Sequence, residues 1–149
     1  MAVSLRPSTL RRLEQAARSA AAHSYSPYSK FPVGSAVLTP RGKIYSACNV
    51  ENAAYSLCSC AERGAISAAV SAGERAIAAI VVYTPTAIPT TPCGACRQVI
   101  NEFGPDALVI SICHSAERLE SPLSALLPHA FGPRNLVSAS RRPSVRKAR

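Results

Sequence analysis

Three cysteines and one glutamate are the side chains of this sequence best suited to chemistry. Cys60 stands two residues before Glu62, and Cys93 and Cys96 are spaced as a C-x-x-C pair. Zinc binds four ligands in a tetrahedron, and catalytic zinc sites keep one of the four positions for water. Three thiolates beside a carboxylate therefore predict a zinc ion that activates water, with Glu62 as the general acid and base.

The same residues have other interpretations. Glu62 alone is typical of a carboxylate that stabilises a helix N-terminus. The C-x-x-C pair alone is typical of a redox dithiol, although the separate Cys60 argues against this. A structural zinc site would need a fourth protein ligand. The candidates for it are Cys58, Cys113 and His114, and Cys58 is the most serious because it lies two residues before Cys60.

Both cysteine motifs lie where a loop or a strand is predicted to enter a helix. The partial positive charge and unpaired N–H groups of a helix N-terminus favour thiolates. Three thiolates give a zinc site net negative charge, which weakens its power to acidify water. Arg63 and Arg97 directly follow Glu62 and Cys96. We therefore expect these arginines to donate hydrogen bonds to the thiolates.

Apolar spacing and turn residues predict the elements that position this site. A first helix is expected after Ser8 or Thr9, either of which can cap it. Later helices are predicted at residues 60–72, 94–103 and 122–127. Strands are predicted at residues 34–38, 43–48, 77–83 and 108–112, with a short fifth strand near Leu119. Alternation of strands and helices predicts an α/β fold in which a mixed sheet has helices on its faces.

Length and charge divide the chain into a domain and a tail. The 149 residues suit one compact domain with a sizeable core. Residues 141–149 hold five of the 17 basic residues and no acid, and the formal net charge is +9. We predict a domain over residues 1–135 and a basic, disordered tail over residues 136–149. Nucleic-acid binding by the tail is the alternative, but no aromatic residue is interleaved with its charges.

The two ends of the sequence and the cysteines bear on location. The apolar runs are too short to cross a bilayer, and the N-terminus lacks a continuous apolar signal segment. Residues 1–24 overlap in composition with a mitochondrial transit peptide, but the spacing of Leu10, Leu13 and Ala17 favours a structural helix. We therefore predict reduced cysteines and a cytoplasmic protein without membrane contacts.

Four separated motifs occupy residues 26–34, 49–55, 60–63 and 91–98. Found in this order, they resemble those of the small homotetrameric cytidine deaminases. Residues 126–128 and 131–133 resemble the C-terminal signature of the same family, so the resemblance covers about residues 25–133. It implies a three-layer α-β-α fold with a five-stranded mixed sheet. Gly64, where the family commonly has threonine, and the additional thiol of Cys58 depart from the family pattern.

The resemblance also implies an activity and a cofactor. The enzyme would hydrolyse cytidine and 2′-deoxycytidine to uridine and 2′-deoxyuridine, releasing ammonia, in pyrimidine salvage. One Zn²⁺ per subunit would be bound by Cys60, Cys93 and Cys96. Glu62 would carry a proton from the zinc-activated water to N3 of cytosine and a second proton to the departing ammonia, as in the zinc deaminases generally.

Substrate contacts follow from the same resemblance. Asn49 and Glu51 would hold the ribose, chiefly through its 3′-hydroxyl, because an amide and a carboxylate provide both a donor and acceptors for an alcohol. Phe31 would stack on the base, and the backbone around Ala61 would bind the pyrimidine carbonyl.

Two further aromatic residues are implied to act between subunits. Tyr55 and Phe131 would reach the site of a neighbouring subunit, so that a homotetramer would share its active sites.

Three alternative functions remain: a polynucleotide-editing deaminase, a zinc-stabilised binding module without catalysis, and a deaminase of a cytosine-containing antibiotic nucleoside. Binding of the ribose 3′-hydroxyl by Asn49 and Glu51 argues against a polynucleotide substrate, because these side chains would clash with a phosphate chain that continues from the 3′-oxygen.

Overall fold

The computed structural model describes residues 5–140, which form one five-stranded sheet with helices on both faces. The strands are β1 (Gly34–Leu38), β2 (Ile44–Cys48), β3 (Ala79–Tyr83), β4 (Leu108–Ile112) and β5 (Arg118–Pro122). The helices are α1 (Pro7–Ala21), α2 (Ala61–Ser71), α3 (Gly94–Phe103), α4 (Leu123–Leu126) and α5 (Pro133–Ser140), and a single 3₁₀ turn spans Tyr55–Leu57. The sheet order is β2-β1-β3-β4-β5.

The sheet is mixed, as the sequence predicts. β1 pairs antiparallel with both β2 and β3, β3 pairs parallel with β4, and β5 closes the edge antiparallel to β4. The parallel pair requires a crossover connection, and α3 provides it. In such a unit the crossover helix begins beyond the carboxyl end of the first strand. This arrangement places the start of α3, with its two cysteines, above the end of β3.

Two apolar clusters separate the molecule into three layers. Successive side chains of a strand point to opposite faces, so Ala36 and Val37 enter different clusters. The cluster under α1 contains Leu13, Ala17, Ala36, Leu38, Ala79, Val81, Ile110 and Ile112. The cluster under α2, α3 and α4 includes Ala65, Ile66, Ile100 and Leu123 with Val37, Ile80 and Val109. The predicted three-layer α-β-α architecture is confirmed.

Helix α1 lies close to the sheet where β1 begins. A Cβ atom at Gly34 would stand 1.9 Å from the carbonyl oxygen of Ala17, so the close approach depends on a glycine there. The predicted capping of α1 by Ser8 or Thr9 is wrong: Arg6 is the N-cap, and it makes no side-chain cap hydrogen bond. Pro7 sets the start of the helix instead, because its fixed φ suits the first helical position.

One helix lies across the predicted boundary between domain and tail. Helix α5 includes residue 135 and continues to Ser140. Pro133 begins the helix, as proline often does. The rest of the predicted tail, residues 141–149, lies outside the described residues.

No helix within residues 5–140 has the length and apolar character needed to span a membrane.

Candidate metal centre and substrate cavity

Three sulfur atoms meet where two helices begin. Cys60 is the N-cap residue of α2, Cys93 is the N-cap residue of α3, and Cys96 lies in the first turn of α3. Their Sγ atoms all lie within 4.8 Å of one another. A tetrahedral zinc ion with Zn–S bonds of about 2.3 Å holds its sulfur ligands about 3.8 Å apart. The three cysteines therefore fit zinc in both donor type and spacing.

Hydrogen bonds distribute the protons of this cluster unevenly. The Cys96 thiol and the Arg63 guanidinium donate to the Cys60 sulfur and lower the pKa of Cys60 to about 5. The hydrogen bond to Cys60 and the burial of the side chain raise the pKa of Cys96. Arg63 Nη2 lies 3.6 Å from Cys60 Sγ and 3.0 Å from the Cys58 carbonyl oxygen. The structure thus places Arg63 beside a thiolate.

This proton distribution predicts how zinc binding depends on pH. At pH 7 Cys60 is already a thiolate because its pKa is about 5, so binding should release fewer than three protons per zinc ion. Affinity should still rise with pH because the Cys96 proton must leave. Titrating the metal-free chain with zinc in weak buffer containing a pH indicator measures the protons released. Repeating the titration at a pH below the Cys60 pKa should raise the number of protons released per zinc ion. Release of three protons per zinc ion at pH 7 would contradict the conclusion that Cys60 is a thiolate.

Glu62 lies in the first turn of α2 and faces the same cavity as the cysteines. Its side chain is buried, with 5% of its surface exposed. Burial raises the pKa of Glu62, and the negative charge of Cys60 acts in the same direction. A carboxyl group with a raised pKa can both accept and return a proton near neutral pH. The environment of Glu62 therefore suits a proton carrier.

Cys58 does not join the sulfur cluster. Its sulfur accepts a hydrogen bond from the Asn52 amide at 3.3 Å and donates to the Asn52 carbonyl oxygen at 3.6 Å. Cys113, the second candidate for a fourth ligand, is buried and donates to the Glu117 carbonyl oxygen at 3.4 Å. Within residues 5–140, the only cluster with metal-ligand geometry consists of three cysteines. Three protein ligands are the number found in catalytic zinc sites, whereas structural sites have four.

A Cys58→Ser variant tests whether Cys58 is a fourth ligand. We expect it to bind zinc in the same amount as the wild type, because the Cys58 sulfur is directed to Asn52. After cobalt substitution, the near-ultraviolet charge-transfer spectrum of the variant should keep the intensity of the three-thiolate wild type. A weaker sulfur-to-cobalt charge-transfer band in Cys58→Ser would show that Cys58 closes the site.

Arg97 is not beside a sulfur atom, contrary to the sequence-based expectation. Its Nε donates to the Pro92 carbonyl oxygen at 2.8 Å, and its Nη1 donates to the Leu126 carbonyl oxygen at 3.0 Å. Its Nη2 donates to Thr91 Oγ1 at 2.9 Å. All three guanidinium nitrogens therefore donate to oxygen atoms and none of them to a sulfur.

A cavity of about 400 Å³ opens beside the metal cluster. This volume lies within the range of small-molecule sites, roughly 300–1,000 Å³. The residues that line it are Ser29, Phe31, Val33, Asn49, Glu51, Cys58, Ser59, Cys60, Ala61, Glu62, Val82, Thr84, Thr90, Thr91 and Cys93. The structure therefore brings Phe31, Asn49, Glu51 and Ala61 together with the cysteines and Glu62.

The sequence interpretation missed the hydroxyl residues of this cavity. Thr84 follows β3 directly, and Thr90 and Thr91 precede the C-x-x-C motif. Ligands in open α/β sheets bind beyond the carboxyl ends of the strands. This rule, applied to the loop after β3, is the signal that would have found them.

Asn49 is fixed by the loop that carries Phe31. Its Oδ1 accepts from the Val33 amide at 2.8 Å, and its Nδ2 donates to the Phe31 carbonyl oxygen at 2.8 Å. The Phe31 ring is 37% exposed and lies on the cavity wall. The amide group therefore sets the position of the aromatic ring, and the second lone pair of its oxygen accepts from Ser24 Oγ.

Glu51 is held by the same loop. Its Oε2 accepts hydrogen bonds from the amides of Tyr28 at 2.8 Å and Ser29 at 3.2 Å. Hydrogen bonds from the Ser29 side chain and from these two amides lower the pKa of Glu51. The carboxylate is therefore ionised and orientated, with lone pairs left for a ligand hydroxyl.

Tyr55 and Phe131 stand apart from the cavity of their own chain. Among the described residues that line it, neither occurs. Tyr55 is 72% exposed, and its ring meets the Tyr28 ring edge-on with centroids 5.6 Å apart. Phe131 is 59% exposed, and its carbonyl oxygen accepts from Gln98 and Asn101 of α3.

Comparison with known proteins gives the family. The model of the cytidine and deoxycytidylate deaminase zinc-binding region matches residues 7–112. A cytidine deaminase of Sporosarcina psychrophila is 46% identical over 118 residues, which cover 78% of this chain and 87% of that protein. A probable cytidine deaminase of Dictyostelium discoideum is 39% identical over 130 residues, covering 87% and 88%.

Solved structures agree with the sequence relatives. The cytidine deaminase of Burkholderia pseudomallei superposes with a TM-score of 0.78 at 45% identity, covering 81% of this chain and 98% of that one. The cytidine deaminase of Mycobacterium tuberculosis superposes with a TM-score of 0.71 at 37% identity, covering 83% and 97%. The chain therefore belongs to the zinc-dependent cytidine and deoxycytidylate deaminase family.

Proposed function

We propose that this chain deaminates cytidine and 2′-deoxycytidine by hydrolysis to uridine and 2′-deoxyuridine, releasing ammonia. One observation carries the proposal: three cysteine sulfurs and the buried carboxyl group of Glu62 face one cavity of about 400 Å³. The two sequence relatives named above, 46% and 39% identical to this chain, are a cytidine deaminase and a probable cytidine deaminase.

The proposed proton transfers belong to Glu62. Cys60, Cys93 and Cys96 would hold the zinc ion, which would supply a water molecule of lowered pKa. Glu62 takes a proton from this water and delivers it to N3 of the base while the water oxygen bonds to C4. It then moves the second proton to the 4-amino nitrogen, and the C4–N bond breaks to release ammonia. The zinc deaminases as a class use a non-ligand glutamate in this way.

The cavity walls supply the proposed substrate contacts. Glu51 presents an ionised carboxylate to the ribose hydroxyls, and Asn49 presents the one N–H of its fixed amide that the protein does not already use. Phe31 offers its ring face to the base. Ala61 is the first residue of α2, where backbone N–H groups have no intrahelical acceptor, so its amide suits the pyrimidine carbonyl. Arg63 stabilises the Cys60 thiolate.

We further propose a homotetramer in which neighbouring subunits complete each other's sites. Tyr55 and Phe131 are large, exposed aromatic residues, and such side chains are enriched at interfaces.

The proposed location is the cytoplasm, where the chain would act in pyrimidine salvage. All six cysteines are free, as in proteins of reducing compartments, and this supports the proposed location.

The test combines metal analysis with substrate turnover. The purified chain should contain about one zinc ion per subunit and should consume cytidine, seen as loss of its absorbance with matching ammonia release. A cytosine-bearing single-stranded oligonucleotide at equal cytosine concentration should not be deaminated. Zinc without turnover of either substrate would favour the binding module, and turnover of the strand alone would favour a polynucleotide deaminase.

A further inference from the structure

We propose that Arg97 is a positioning residue for zinc: it fastens the segment of residues 91–93, and with it the ligand Cys93, to the end of α4. The inference rests on the proposed zinc site and adds to it how one ligand is held in place. It assigns Arg97 a role that acts through the backbone and does not involve contact with the sulfur atoms.

Arg97 joins two segments that are far apart in the sequence. Its three guanidinium nitrogens donate to the Pro92 carbonyl, the Thr91 hydroxyl and the Leu126 carbonyl at 2.8–3.0 Å. Its backbone amide donates to the Cys93 carbonyl at 2.9 Å. Hydrogen bonds from a charged donor are stronger than neutral ones. Arg97 therefore donates hydrogen bonds both to the carbonyl oxygen of Cys93 and to that of Pro92, the residue before it.

The geometry follows from the position of Arg97 in the helix. It lies one turn after the N-cap residue Cys93, and long helical side chains point back toward the N-terminus. The side chain is thus carried past the first turn to the segment that precedes it. A planar guanidinium with five N–H groups can satisfy several acceptors at fixed angles at once.

The far end of this connection is itself fixed. Leu126 ends α4, which packs under the sheet through the fully buried Leu123. Gln98 and Asn101, on the same helix as Arg97, donate to the Phe131 carbonyl at 2.9 and 3.2 Å. Side chains of α3 therefore contact both the segment of residues 91–93 and the segment that follows α4.

Cys93 is the ligand that most needs such support. It is exposed, whereas Cys96 is fully buried within α3. It also follows a loop, residues 84–92, that has no regular secondary structure. Loss of zinc begins with the detachment of one ligand, and the exposed ligand on a loop detaches most easily. Without the Arg97 side chain, residues 91–93 lose two hydrogen bonds, to Thr91 and to Pro92, and their connection to Leu126.

The test measures zinc release from Arg97→Gln, with Arg118→Gln as a matched control. Arg118 also makes short polar contacts, at 2.8 Å to Glu14 of α1 and at 2.9 Å to Glu120 of β5. Both partners lie outside the segment of residues 91–93. Each zinc-loaded protein is mixed with a chromogenic chelator, and thermal unfolding is recorded in parallel. Arg97→Gln should release zinc about 10-fold faster or more, the usual scale for outer-sphere changes. Arg118→Gln should match the wild type.

An Arg97→Lys variant keeps the test decisive if the glutamine variant folds poorly. One ammonium group cannot reach all three acceptors, so its zinc release should lie between those of the wild type and Arg97→Gln. Release at the wild-type rate from both Arg97 variants, with zinc and cytidine turnover intact in the wild type, overturns the positioning role alone. A wild-type chain that binds no zinc overturns the proposed function as well.

Discussion

Replacing Glu62 by glutamine is expected to lower kcat for cytidine by about 10²–10⁴-fold, the usual contribution of a general acid–base group. Glutamine has nearly the same shape, so it fits the buried position, but its amide cannot carry the proton. Zinc content and thermal unfolding should remain close to those of the wild type. The measurement is steady-state deamination of cytidine together with zinc analysis of the same sample.

Glu102→Gln is the matched control for this variant. Glu102 is an exposed glutamate of α3, so its substitution removes a carboxylate without touching the cavity. It should leave kcat unchanged. If Glu62→Gln deaminated cytidine as fast as the wild type, Glu62 would not be the proton carrier and the catalytic proposal would fail.

Replacing Cys96 by serine is expected to remove both zinc and activity. The Cys96 side chain is fully buried, and its sulfur lies within 4.8 Å of the two other sulfurs. A serine hydroxyl does not ionise near neutral pH and is a poor ligand for zinc in a site built from thiolates. Zinc per chain and deamination should both fall to background, while the sheet keeps its far-ultraviolet circular dichroism.

Cys48→Ser serves as the control for a lost thiol. Cys48 lies at the end of β2, and its sulfur donates to the His23 carbonyl oxygen at 3.3 Å, a bond that a hydroxyl can reproduce. This variant should retain zinc and turnover. If Cys96→Ser retained zinc in the wild-type amount, the three-cysteine centre would be wrong.

The strands and helices were largely predictable because their signals are local. β1, α3 and β4 occupy the predicted residues, since each is bounded by glycine, proline or a polar turn. Helix α5 was missed because it is only eight residues long, and the start of α1 was misjudged because proline, not a side-chain cap, sets it. The assembly of the sheet in its observed order also depends on contacts between distant residues, which local patterns do not record.

The metal cluster was predictable for a related reason. The spacing of Cys93 and Cys96 brings both sulfurs to one helix start, and Cys60 marks another. The contacts of Arg97 were not predictable, because one of its acceptors, Leu126, lies 29 residues away. The direction of the Cys58 sulfur likewise depends on the fold of the loop at Asn52.

The two apolar clusters have a consequence for how such an enzyme can change. The helices that begin at the metal centre, α2 and α3, rest on one side of the sheet, and α1 rests on the other. Substitutions beneath α1, such as at Leu13 or Ile110, fall in an apolar cluster that contains none of the three cysteines. Mutations in that layer can change the stability of the protein while the catalytic groups keep their positions. Evolution and engineering can therefore adjust thermal stability separately from turnover.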